Sequence, residues 1–162
     1  MYPHCYPFAQ MVKPRILFAS HEVSNPFRPP LTRNRIRQAL SYLFDQEQKS
    51  FLKLLYVFCR DDFLWELNQQ YLQHDTYTDI LTFDLTPFAG APVEAEIYIS
   101  VERVHENAHR FGVPFEDELV RVIFHGALHL CGYDDHREAD QKRMRAREDV
   151  YLDFWHKLKD AS

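Results

Sequence analysis

The sequence has few cysteines, no excess of positive charge and no long apolar run. Its three cysteines, Cys5, Cys59 and Cys131, are an odd number spread far apart, which argues against a disulfide framework and for a reducing compartment. With 19 Lys and Arg against 24 Asp and Glu, the formal charge is -5, which excludes a global positive field that attracts nucleic acid. Any contact with nucleic acid must therefore be local.

The chain also lacks segments that direct a protein to a membrane. Its longest uninterrupted apolar run, residues 54–59, is far shorter than the ~20 residues that a membrane-spanning helix needs. Residues 1–8 have neither the basic start nor the apolar core of a secretory signal. We therefore expect a cytoplasmic protein with no membrane partner.

The length of 162 residues fits one domain, because single domains usually have about 100–200 residues. Hydrophobic residues make up 46% and charged residues 27%, a balance typical of globular proteins. Prolines are frequent in the first thirty residues, which excludes a long helix there. We predict an N-terminal extension over residues 1–11 and a single domain over residues 12–162.

Apolar periodicity and turn residues predict strands and helices that alternate along the chain. The predicted strands are residues 12–20, 51–59, 80–85 and 97–101, the last two as a hairpin. The first predicted helix begins after an N-cap at Thr32. Four more helices are predicted over about residues 61–71, 101–111, 115–131 and 138–158. The apolar side of the last helix consists of Met144, Val150, Tyr151, Phe154 and Trp155. This pattern predicts an α/β (α+β) fold with a central mixed sheet of about four strands and helices packed around it.

Two histidines have the spacing of metal ligands on a helix. His125 and His129 are four residues apart, so both imidazoles leave one face and can reach one ion. With nine histidines in the chain, chance alone gives such a pair about 0.5 times, so the pair is not decisive. Gly132 then ends the helix, and Asp135 or His136 can return toward the histidines as a third ligand. The sequence therefore predicts a metal site on a helix and the following turn.

Three protein ligands leave one coordination position open, which is typical of a catalytic zinc site and not of a closed structural one. The layout parallels the long zinc-protease pattern, with one difference. Position 126 is Gly where a zinc peptidase has the Glu that acts as general base. Peptide hydrolysis is therefore not the favoured reaction.

The stretch Phe124-His-Gly-Ala-Leu-His-Leu-Cys-Gly-Tyr-Asp-Asp-His136 resembles the signature of the YbeY family, bacterial metal-dependent endoribonucleases that mature ribosomal RNA. Residues 67–71, 75–83 and 95–100 are similar to a helix and two strands of that family. The resemblance implies one Zn²⁺ held by three residues and a cytoplasmic enzyme that cuts single-stranded RNA. It also implies roles in 3′-end maturation of 16S ribosomal RNA and in ribosome quality control, with the small ribosomal subunit, ribosomal proteins and an assembly GTPase as partners.

The chain departs from the family at two positions. The family's third ligand is usually a histidine directly after Gly-Tyr-Asp, and that place is Asp135 here. A gapless alignment that continues to Met144 favours Asp135 as the ligand, with His136 as the alternative. Leu72 stands where many members carry an arginine thought to act in RNA cutting, and a leucine cannot bind phosphate.

Candidate RNA contacts come from basic residues near the start of the domain. Residues 28–37 contain no acid, so we predict RNA contacts at Arg33, Arg35 and Arg37. The basic residues of the last helix alternate with acids, among them Glu148, and indicate a solvated face with local ion pairs.

Two other functions stay open at this point. One is a non-catalytic ribosome-assembly factor whose metal stabilises the fold. The other is a metal hydrolase that acts on a different bond.

Overall fold

The computed structural model describes residues 12–27, 32–72 and 78–161, without the side chains of residues 32 and 72. The predicted extension over residues 1–11 lies outside this part, and so does the side chain of the predicted N-cap, Thr32. The elements, in chain order, are β1 (Arg15–Ser20), α1 (Thr32–Gln46), β2 (Phe51–Cys59), α2 (Asp61–Leu72), β3 (Ile80–Asp84), β4 (Val93–Ser100), α3 (Val101–Phe111), α4 (Phe115–Leu130) and α5 (Glu138–Asp160).

The four strands form one mixed sheet in the order β1-β2-β4-β3. Strand β2 runs parallel to β1 and β4, whereas β3 and β4 are antiparallel and form the predicted hairpin. Helices pack on both sides, so the predicted α/β class with a four-stranded mixed sheet is confirmed.

Alternation along the strands assigns their side chains to two faces. The face that includes Leu54, Tyr56, Ile97 and Ile99 packs in the main core with α1, α4 and α5. The opposite face, with Leu81, Phe83 and Tyr98, packs against α2. Helix α4 is therefore buried between the sheet and α5, which suits a helix that must hold ligands rigidly.

Two sequence predictions are wrong in detail. Strand β4 begins at Val93 and not at residue 97, because Val93 and Ala95 face the core while Glu94 and Glu96 interrupt the apolar pattern on the other face. Val150 was predicted on the apolar side of the last helix, yet it is 46% exposed. The buried stripe of α5 follows Met144, Glu148, Tyr151 and Trp155, and Val150 lies off that stripe.

Within the described residues, no helix has both the length and the apolar character needed to cross a membrane.

Candidate metal centre

The two predicted imidazole ligands lie one turn apart on α4. The Nε2 atoms of His125 and His129 are 3.0 Å apart, as the i,i+4 spacing predicts. The side chains of His125 and His129 are 23% and 28% exposed, so both rings are partly accessible to solvent.

Asp135 completes a group of three possible ligands. The chain turns back at Gly132, whose φ of 101° is in the left-handed region that favours glycine. The Oδ2 atom of Asp135 then lies 3.4 Å from the Nε2 of His125 and 3.6 Å from that of His129. Metal bonds of 2.0–2.1 Å in tetrahedral geometry place two ligand atoms about 3.3 Å apart, so the three residues could hold one ion.

His136, the alternative third ligand, is not in this group. Its side chain is 82% exposed, and its Nδ1 contacts the carboxylate of Asp134. The hydrogen bond with Asp134 raises the pKa of His136 above its ordinary value. The structure thus brings Asp135, and not His136, to the two histidines of α4.

Glu148 fixes the orientation of His125 from α5. Its Oε1 is 2.7 Å from the Nδ1 of His125, and its Oε2 accepts a hydrogen bond of 3.1 Å from Arg121. With a proton on Nδ1, the Nε2 of His125 is free to bind a metal, which is the usual arrangement of a carboxylate behind a histidine ligand. Burial lowers the pKa of His125, but the hydrogen bond and the charge of Glu148 outweigh it and raise that pKa.

Tyr133 does the same for His129 through its backbone. The Nδ1 of His129 is 2.9 Å from the carbonyl oxygen of Tyr133, and the hydroxyl of Tyr133 donates to Glu47 at 3.0 Å. Glu47, which directly follows α1, also accepts hydrogen bonds from Arg147 and Tyr151 of α5. The turn that carries Asp135 is therefore tied to the end of α1 and, through Glu47, to α5.

Glu148 is a functional residue that the sequence analysis missed, since it was assigned to a solvated face. Its side chain is 5% exposed. The spacing of the sequence indicates that Glu148 is buried. Met144, Glu148, Tyr151 and Trp155 follow each other at intervals of four, three and four residues, as on one face of a helix. An acid in register with an apolar stripe indicates a buried partner.

Gly126 faces the sheet and not the ligand group. A Cβ atom at this position would lie 2.8 Å from the Cδ1 of Ile80 and 3.3 Å from the Cγ2 of Ile97. A glutamate, the general base of zinc peptidases, would need these sheet side chains to shift and would start toward the sheet and not toward the ligand group.

A cavity of about 370 Å³ opens beside the ligand group. Its polar lining consists of Asp79, Asn107, Glu118, Arg121, His125, Asp135, Gln141, Arg145 and Glu148. Burial raises the pKa of Asp79 and of Glu118, against the opposing charges of His125 and Arg121 respectively.

A larger cavity of about 550 Å³ lies elsewhere, between residues 24–27 and the helices α3 and α4, and its lining is mainly apolar.

The three predicted RNA-contacting arginines lie on α1, away from this lining. Arg33 is exposed, whereas the guanidinium of Arg35 lies 5.5 Å from the centroid of the Trp155 ring. Arg37 donates to the carbonyl oxygen of Ile16 at 3.0 Å, so it also ties α1 to β1. Their role in RNA binding stays a prediction.

Leu72 is the last residue of α2, and its side chain lies outside the described part of the chain. The structure therefore leaves the effect of the missing arginine to experiment.

Comparison with known proteins identifies the family. A sequence model described as "Endoribonuclease YbeY" matches residues 21–156. The chain belongs to the endoribonuclease YbeY family. The resemblance seen in the sequence is thus confirmed, and the family places the chain among RNA-cleaving enzymes.

Relatives of the same name match over most of their length. The Endoribonuclease YbeY of Flavobacterium psychrophilum is 48% identical, over 75% of this chain and 89% of the relative. That of Chlorobium luteolum is 39% identical, over 81% of this chain and 94% of the relative. The solution structure of a Thermotoga maritima protein superposes with a TM-score of 0.60 at 28% identity and covers 91% of this chain and 93% of that one.

Proposed function

We propose that this protein is a zinc-dependent endoribonuclease that cuts single-stranded RNA. The observation that supports this most directly is the convergence of His125, His129 and Asp135 within 3.6 Å in a chain of the endoribonuclease YbeY family. Two imidazoles and one carboxylate suit Zn²⁺, and three protein ligands leave the fourth coordination position of the ion open for water or substrate.

The side chains of the cleft have separate tasks in this proposal. When bound, Zn²⁺ supplies a Lewis acid that polarises a phosphoryl oxygen. Glu148 keeps the proton on the Nδ1 of His125, and the Tyr133 carbonyl does the same for His129, so that both Nε2 atoms are free to bind the ion. Asp79 places a carboxyl group of raised pKa in the same cavity. Its carboxylate would take the proton of the nucleophile, either the RNA 2′-hydroxyl or a water, as that oxygen bonds to phosphorus and the bond to the leaving oxygen breaks.

The proposed biological role is processing of ribosomal RNA, with maturation of the 3′ end of 16S ribosomal RNA and ribosome quality control as its parts. The small ribosomal subunit, ribosomal proteins and an assembly GTPase are the proposed partners, and the cytoplasm is the proposed location. These proposals rest on the family alone.

The test is cleavage of a single-stranded RNA that carries the 16S 3′ end. The zinc-loaded protein is compared with the chelated protein and with the His125→Ala His129→Ala variant, which controls for contaminating nucleases. We expect cutting that needs zinc, is lost in the double variant and is blocked when a complementary strand pairs with the site. A folded, zinc-loaded protein that cuts no RNA, even with ribosomes present, would contradict the proposal.

A second candidate is an assembly factor whose metal stabilises the fold. The acidic character of the cleft favours it, since Asp79, Glu118, Asp135 and Glu148 outnumber Arg121 and Arg145. In that case the double variant would lose thermal stability and ribosome association, while neither the wild type nor any variant would cut RNA.

A further inference from the structure

Phe111 presents an exposed aromatic ring in the cavity of the candidate metal centre. It is the last residue of α3 and is 50% exposed. Single exposed apolar residues are common and need no explanation by themselves. Phe111, however, lines the same cavity as His125 and Asp135, and no other residue of that lining is Phe, Tyr or Trp.

The backbone holds this ring on a rigid helix end. Gly112 adopts a φ of 65°, and its N–H group donates to the carbonyl oxygens of Ala108 and His109. The N–H group of Val113 donates to the carbonyl oxygen of Ala108 at 3.0 Å, which closes the helix in the way typical of a left-handed glycine cap. The backbone position from which the ring projects is thus fixed before any substrate arrives.

Apart from the metal, the side-chain charges of the cleft favour a contact that does not depend on positive charge. Four carboxylates line it against two guanidinium groups, and Arg121 is already paired with Glu148 and Asp149. Phosphates of RNA therefore find little net attraction from these side chains, unlike the usual basic groove for single strands. Stacking of a base on an aromatic ring does not depend on positive charge and is favourable for every base.

We propose that Phe111 is a stacking platform for one unpaired nucleobase of the RNA that enters the metal cleft. A base in a duplex is covered on both faces by its neighbours, so this contact selects single strands. The guanidinium of Arg110 lies over one face of the ring, 5.7 Å from its centroid, so the base stacks on the opposite face. The inference deepens the proposed function and rests on it.

The test separates base contacts from backbone contacts. Binding of the zinc-loaded protein to a 2′-O-methyl RNA of about 12 uridines is compared with binding to the same backbone without bases. The 2′-O-methyl groups prevent attack by the 2′-hydroxyl group, and the length of the recovered strand checks that water has not cut it. We expect the base-bearing strand to bind about tenfold more tightly or better, and Phe111→Ala to remove this preference without weakening the abasic strand. Phe111→Trp should keep it.

The matched control is Phe88→Ala, because Phe88 is 70% exposed and lines a different cavity. It should leave the preference unchanged. The proposal is wrong if Phe111→Ala binds uridines as tightly as the wild type, or if it weakens both strands equally.

Cleavage of unmodified RNA, measured in parallel, distinguishes the two proposals. If the wild type prefers the base-bearing strand through Phe111 but does not cut RNA, the stacking proposal stands and the nuclease proposal is wrong. A Phe111→Ala variant that cuts with unchanged KM, beside an active wild type, keeps the nuclease and removes the subsite.

Discussion

The helical part and the loop part of the candidate metal centre are held in different ways. His125 and His129 project from α4, and the second nitrogen of each ring has its own partner, the buried Glu148 or the carbonyl of Tyr133. Asp135 comes from the irregular segment 131–137, and its side chain is 38% exposed. Helix packing therefore sets two ligand positions in advance, whereas the third depends on a turn.

The largest effect should come from the loop ligand. Asp135→Ala removes one of three ligand atoms, so we expect zinc affinity to fall by more than about 100-fold, beyond the effect of a supporting residue. His136→Ala should leave the affinity within a few-fold of the wild type, because His136 points to Asp134. Competition with a chromophoric chelator measures both. Equal losses in the two variants would mean that His136 shares the ion.

The next largest effect should come from the support of His125. Glu148→Ala leaves the Nδ1 of His125 without its carboxylate, and we expect zinc affinity to fall about 10–100-fold. Asp149→Ala is the matched control, since Asp149 also pairs with Arg121 but has no contact with His125 among those described. A similar loss in both variants would assign the effect to Arg121 and not to the orientation of His125.

The architecture was predictable because the signals of its elements are local. Acids in the first turn of α2 and α4, the break at Gly112, and apolar periodicity predicted these helices within a few residues. The start of β4 was missed because Glu94 and Glu96 lie on a half-covered sheet face, where charge does not exclude a strand. The pairing of β2 between β1 and β4 could not be predicted, because register between distant strands depends on tertiary packing.

The site was predictable where one helix determines it. The spacing of His125 and His129 follows from the helical period, and the glycine turn narrowed the third ligand to two neighbours. The choice between Asp135 and His136 needed the family alignment, because the side chain of either residue could point toward the two histidines after the turn. The roles of Glu148 and Glu47 could not be predicted without the positions of α5 and α1 in the fold. Glu148 is 23 residues from its partner His125 in the chain, and Glu47 is 86 or more residues from its partners.

A smaller effect should come from the support of His129. Tyr133→Phe removes the hydroxyl that donates to Glu47 but keeps the carbonyl that accepts from His129. We expect zinc affinity within a few-fold of the wild type and a fall of about 1 kcal/mol in the free energy of unfolding. Urea denaturation and chelator competition measure the two quantities. A tenfold loss of affinity would show that the ring of Tyr133, and not only its backbone, orients His129.

The smallest effect should be a loss of stability in acid that depends on Glu47, which supports the turn that carries Asp135. Burial raises the pKa of Glu47, but hydrogen bonds from Tyr151, Arg147 and Tyr133 outweigh it and lower the pKa below the ordinary 4.5. A pKa that is lower in the folded state adds stability that is complete above pH 4.5 and is lost as the pH falls below it. The difference in unfolding free energy between the wild type and Glu47→Gln should therefore shrink in acid.

Urea denaturation over a pH series, with a chelator present so that metal release does not contribute, measures this difference. Glu66→Gln is the control, because Glu66 is exposed on α2 and should change stability little at any pH. A difference for Glu47→Gln that stays constant below pH 4.5 would mean that the network does not depend on the ionised carboxylate. The turn that carries Asp135 would then be held by packing and by hydrogen bonds that do not need the charge of Glu47. The loop part of the site would in that case resemble the helical part, whose support is also present at low pH only through neutral contacts such as the carbonyl of Tyr133.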